Sequence, residues 1–177
     1  MIRSSSGKTV ARCLLIGALA LLIPATAGCE AGLNAPTLEF HQAPTGAHVV
    51  VNGITVSDVF VLGAPAGSAL PAGSSASVFL SLFNGGSSGD ALVSMTAPGA
   101  ASAVHLTGGT VSLPANSLVS LTGPQPMVVL SGLTKALTGG QDIPVILNFQ
   151  HAGSVTLEVP VQPQSFFYST YSAPPAP

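Results

Sequence analysis

From residue 49 onward, short apolar runs alternate with clusters of Gly, Pro, Asn and Ser. Within residues 77–83, Val78, Leu80 and Leu82 fall on one face and Phe79, Ser81 and Phe83 on the other. Val155, Leu157 and Val159 alternate in the same way with Thr156 and Glu158. A period of two marks half-buried strands. The pattern predicts strands over 49–51, 54–62, 77–83, 91–95, 103–106, 110–113, 118–121, 127–130, 143–149 and 155–160. Asn52-Gly53 separates the first two and is a strong hairpin-turn dipeptide. One helical turn is expected around 133–137. Many short strands bounded by turn residues predict an all-β antiparallel sandwich or barrel. Its expected core is Ile54, Val56, Val78, Leu80, Leu82, Val145, Leu147, Phe149, Val155 and Leu157.

The first 28 residues follow a different logic. Arg3, Lys8 and Arg12 precede an 11-residue apolar run over 13–23, and small residues lead into Cys29. A membrane-spanning helix needs about 20 apolar residues, so the run suits a cleaved export signal, formed as a helix. Ala27-Gly28-Cys29 after such a run resembles the lipobox of bacterial lipoproteins, in which the Cys is lipidated and becomes the new N-terminus. Thr26 departs from the Leu commoner at its position. The expected organisation is a lipoprotein signal peptide over 1–28, then a flexible tether over 29–48 from lipidated Cys29. A β-sandwich over 49–162 follows, and then an aromatic and Pro-rich tail over 163–177. The tail's Phe166, Phe167, Tyr168 and Tyr171 either pack back on the domain or present a sticky surface.

Charge narrows the function classes. Only 6% of the residues are charged, against about a quarter in an ordinary soluble domain. Beyond residue 28, Lys135 is the single base against Glu30, Glu39, Asp58, Asp90, Asp142 and Glu158. Nucleic-acid binding needs clustered Lys and Arg and is excluded. Attachment through a basic patch to anionic lipid is excluded too, so membrane contact is left to the lipid on Cys29. Cys13 and Cys29 are the two cysteines. With the first removed and the second acylated, no disulfide, zinc–thiolate site or thiol nucleophile remains. Gly85-Gly86-Ser87-Ser88-Gly89 fits G-x-S-x-G formally, but a strand rather than a helix follows it, against the requirement of a nucleophile elbow. Scattered single acids give little material for acid–base catalysis. The chain is not expected to be an enzyme.

One family resemblance extends from residue 77 to 162. The strand 77–84 ending in Asn84, Asp90-Ala91-Leu92-Val93, Val104-His105 and Leu113-Pro114-Ala115 come first. Leu130-Ser131-Gly132-Leu133 with Leu137 and Gly140, then Phe149-Gln150-His151-Ala152-Gly153, follow in order. Together they resemble the periplasmic copper chaperone PCu(A)C family, here as a divergent, lipid-anchored actinobacterial-type member. The resemblance implies a cupredoxin-like Greek-key β-sandwich outside the cytoplasmic membrane, binding copper through His and Met.

The family's ligands are a His, a Met on the following hairpin, and a later His-x-Met. His105 stands at the first position. The next hairpin is shortened and lacks its Met. The later motif reads Met127-Val128-Val129. His105 and Met127 therefore remain as metal candidates, with Met95 as a third. Each is open to a plainer reading, His105 as a surface or half-buried imidazole and both methionines as core filling. His41 and His48, in the tether, make at most an adventitious clip, and His151 is expected solvated in a turn. Two functions follow as expectations. One is an exported lipoprotein on the outer face of the cytoplasmic membrane that weakly binds Cu(I) or delivers it to a copper-receiving protein. The other is an envelope binding or structural lipoprotein whose copper site has been lost.

Overall fold

The computed structural model describes residues 46–123, 125–165 and 168–172. The signal helix, the lipobox cysteine, His41 and the residues Phe166 and Phe167 lie outside the described residues. Twelve strands run β1 (Ala47–Val51), β2 (Ile54–Leu62), β3 (Ala69–Leu70), β4 (Ala76–Asn84), β5 (Asp90–Thr96) and β6 (Ala101–Leu106). They continue β7 (Val111–Leu113), β8 (Ser117–Ser120), β9 (Val128–Leu133), β10 (Leu137–Thr138), β11 (Asp142–Phe149) and β12 (Ser154–Gln162). The all-β class holds, and the ten expected strands are all present. The expected helical turn at 133–137 is not. Leu133 ends β9 and Leu137 opens β10, which pairs with β3. Gly132, at φ +62°, sits just before this stretch, a conformation that favours turning over helix.

The strand order is β6-β9-β4-β2-β12-β11-β5-β7, with β1 added to β2 and β8 to β4. The antiparallel expectation holds for every pairing but one. β12 meets β2 in parallel, at Val161–Val61 and Gln162–Leu62 only. That short seam joins two half-sheets into a barrel-like sandwich. β1 starts at Ala47, so His48 lies on a strand, exposed, and not in a tether.

Two local devices set which side chains point inward. Asn52 and Gly53 both have positive φ, at 42° and 87°, the backbone of a two-residue type I′ hairpin, and Val51 pairs with Ile54 across it. The second device is a bulge in β2. The register with β4 shifts between Ser57 and Phe60, and Asp58 carries φ +54°, which Asp tolerates better than most residues. One extra residue reverses the alternation. Ile54 and Val56 face the core before the bulge, Val59 and Val61 after it, and Phe60 and Leu62 are turned to the outer face, into a separate cluster.

The core joins both half-sheets in one apolar cluster. Nine of the ten expected core residues are buried, while Val155 packs against the cluster half-buried. Leu80 is fully buried at the centre of β4. Leu80→Ala is expected to cost about 2–5 kcal/mol of unfolding free energy, read from urea denaturation. An unchanged midpoint would contradict this placement.

Candidate functional site

His105 pairs with Val129 across β6 and β9. The ladder runs one step past β9, since the Thr107 amide donates to the Met127 carbonyl at 2.8 Å. Val104 and Leu106 turn toward the core, with Val128 and Leu130 buried opposite them. His105 and Met127 therefore lie on the other, outer face, as diagonal neighbours on adjacent strands. Diagonal neighbours have Cα atoms about 7–8 Å apart, within reach of long side chains. Both side chains are exposed, Met127 at 39%. Met95 is not with them. It is 3% exposed, paired with Leu147, and part of the core. Among the described residues no three His, Cys, Asp or Glu side chains gather as a metal cluster. The arrangement offers one imidazole and one thioether, donors that suit a soft cation such as Cu(I).

The same outer face continues across the sheet. His105, Val129, Ser77 and Leu62 stand side by side on four successive strands. Beyond Val129 the face is covered by the C-terminal segment. Tyr171 packs edge-on against Phe79, with ring centroids 4.7 Å apart, and Tyr168 lies 4.9 Å from Phe60. The Ser77 hydroxyl donates to the Ser172 carbonyl at 3.2 Å and the Gln164 amide to the Tyr171 carbonyl at 2.9 Å. Of the two readings of the tail, packing back on the domain is the one observed for Tyr168 and Tyr171. Extending the β4–β9 register by one step sets Met127 level with Phe79. The described part of this covering strap therefore reaches Phe79, level with Met127.

At one end of the sandwich, an open polar cleft is lined by residues of the turn after β1, the loop between β4 and β5, and the turn between β11 and β12. Its buried polar side chains are already engaged. Asn84, almost fully buried, donates through Nδ2 to the carbonyls of Ser88 and Leu113, each at 2.9 Å. Its Oδ1 accepts from the Gly86 amide at 2.9 Å. The Asp90 carboxylate, with its side chain 7% exposed, accepts from the amides of Ala91, His151 and Ala152 at 2.7, 3.0 and 2.8 Å. The His151 side chain, 66% exposed as expected for a turn, brings Nδ1 to 3.4 Å from Asp90. Gly85–Gly89 links two strands here, and no helix follows Ser87, so no nucleophile elbow exists.

The cleft therefore works as a clasp. Sequence reasoning named Asn84 and Asp90 only as landmarks of a resemblance. Their position on either side of a Gly/Ser loop between two strands was the available signal that they fasten that loop. Burial alone would raise the Asp90 pKa, but the three amide donors and the nearby His151 outweigh it and hold the carboxyl below its ordinary value. A depressed carboxylate pKa contributes stability that is present above the unfolded value and lost as pH falls through the folded one. Thermal stability should therefore fall as the pH drops below about 4. Asp90→Asn should be less stable than the parent at pH 7 by about 1.5–3 kcal/mol, with the gap closing toward pH 2. A gap independent of pH would show that the charge does not hold the clasp.

Three solved PCuAC domains are similar to this fold. The chain superimposes on the apo PCuAC domain from PmoF1 with a TM-score of 0.57 at 20% identity, covering 66% of this chain and 98% of that one. The copper-bound PCuAC domain from PmoF2 gives 0.56 at 20% identity, over 66% and 97%. The apo PmoF2 PCuAC domain gives 0.55 at 19%, over 68% and 97%. These likenesses establish that the fold is that of a PCuAC domain. No curated protein sequence matches. Residues 54–161 match the LpqE-like lipoprotein family. That span begins with the first strand after the Asn52-Gly53 turn and ends on the β12 seam, enclosing both half-sheets and the clasp. By this match the chain belongs to the LpqE-like family.

Proposed function

We propose that this chain is an exported lipoprotein, held to the outer face of the cytoplasmic membrane by lipid on Cys29. Its PCuAC-type domain would bind Cu(I) weakly through His105 and Met127 and pass it to a copper-receiving protein. The supporting observation is the placement of these two side chains, exposed and diagonal on one outer face of a PCuAC-type fold. A neutral imidazole and a thioether are soft enough for Cu(I), and their exposure leaves the metal open to a partner's ligands. A site with few donors releases its cargo readily, which suits transfer more than storage. The LpqE-like match supports export and anchoring, and the apolar run before Cys29 supplies the signal. In this reading no chemical step is catalysed.

The burial of Met95 favours the second reading, an envelope binding or structural lipoprotein in which the copper site has been lost. One titration separates the two. In the first reading, the unit 43–177, which has its own apolar core, competes for Cu(I) with a weak chelator under reducing conditions. His105→Ala and Met127→Ala are each expected to weaken binding at least tenfold. Equal behaviour of all three proteins would transfer the proposal to the second reading. For the anchor, Cys29→Ser in the full chain is expected to shift the protein from the membrane fraction to the soluble one. Retention in the membrane would overturn lipidation as the attachment.

A further inference from the structure

Among the described residues β6 is the first strand of the sheet order, with β9 on one side and no hydrogen-bonded strand on the other, while β5 comes close to it without pairing. The bond from the Thr107 amide to Met127 fixes the parity of the β6–β9 ladder. Alternation in an antiparallel ladder then directs the backbone groups of Ala103 and His105 toward β9, and those of Ser102 and Val104 away from it. Among the described residues, none of the backbone bonds outside the ladders involves residues 102–105.

Natural sheets blunt such edges with Lys, Pro, bulges or covering loops. β6 reads Ala-Ser-Ala-Val-His-Leu, with no charge and no proline. Its pairing with β9 runs without an irregularity from Ala103 to Leu106. Between Asp90 and Lys135 the sequence holds no charged residue, so nothing nearby repels an identical edge.

We infer that two copies of this chain pair antiparallel through β6, edge to edge, and hold one Cu(I) between the His105 imidazole of each copy. The inference rests on the copper reading above and supplies what the single chain lacks. A two-fold axis makes the contact self-complementary. Centred on Val104 or on His105, it places the two His105 residues on one continuous outer face. They are then diagonal or directly opposite, with Cα atoms about 5–8 Å apart. Imidazole is a good ligand for copper, and two from opposing strands can point at one ion. Met127, one strand inward on each copy, stands beside the pair as a further thioether donor. A second copy fits the edge better than an unrelated strand does, because the donor deficit at His105 is met by the same residue repeated. Metal binding and dimerisation are therefore one event, reversed when a partner removes the ion.

The experiment uses the unit 43–177 with Cu(I) under anaerobic reducing conditions, following stoichiometry by chelator competition and mass by sedimentation. The expected result is half an equivalent of copper per chain, with the mass doubling as copper is added and neither effect in His105→Ala. Ala103→Lys, at an exposed edge position on the His105 face, should keep the parent's circular dichroism and melting point. It should also abolish the doubling and weaken copper binding at least tenfold, because two lysines then face the pair. One copper per monomeric chain, lost in His105→Ala, overturns the pairing and leaves the copper reading intact. No binding by any variant overturns the copper reading, and this inference with it. A dimer that Ala103→Lys leaves unchanged overturns the β6 edge as its seat, and one that forms equally without copper overturns the shared ion.

Discussion

The two half-sheets meet through two residue pairs of parallel ladder, so hydrogen bonding alone cannot hold them together. The apolar layer between them does. Leu80, Leu82, Leu92, Val145 and Leu147 pack in a single cluster drawn from both halves. Burying each such side chain contributes about 1.5–3 kcal/mol, and the described part of the chain has little else. It contains one lysine, no cysteine and no ion-pair network. The hairpin turn and the bulge keep this layer in register. The β2 bulge is the clearest case. In a strand that ran regularly through Asp58, Val59 and Val61 would point away from the core and Phe60 would point into it.

The clasp shows how a chain so poor in charge keeps a buried carboxylate. Among the described residues Asp90 has no Lys or Arg partner, and backbone amides take that part, three of them converging from two segments. Hydrogen bonds to an ionised acceptor are roughly twice as strong as neutral ones. One side chain thereby ties the start of β5 to the turn between β11 and β12. Asn84 does the same for the loop before β5 and the end of β7. The motif Asp-x-Leu-Val and the strand-ending Asn are thus fold-holding features. In this chain they tie their segments together with no need of a metal.

Much of the architecture was legible in the sequence because strand alternation and turn dipeptides are local signals. Asn52-Gly53 announces its hairpin without help from the rest of the chain. The bulge was not read from the sequence, and its one local signal was the succession of two polar residues, Ser57 and Asp58, in the run 54–62. The stretch 133–137 misled because Leu133 and Leu137 sit at helical spacing, while tertiary pairing of β10 with β3 decided its form. The candidate site was legible in part. His105 and Met127 could be picked as soft donors, and their common face follows from the ladder register, which no single-chain pattern displays. Met95 could not be assigned beforehand, because a core methionine and a ligand methionine look alike until burial separates them. The role of the strap was equally hidden, as it depends on Phe60 being turned outward 108 residues before Tyr168.

That strap has an optical consequence. The protein contains no tryptophan and two tyrosines, and both tyrosines, Tyr168 and Tyr171, belong to the covering segment. Tyrosine emission therefore watches one short stretch of chain against Phe60 and Phe79, while the strands and the core beneath them are spectroscopically silent. Lifting the strap would change the signal with the sandwich intact, and the amide circular dichroism would stay unmoved. The molecule carries a built-in reporter for its outer face, beside the position where His105 and Met127 stand.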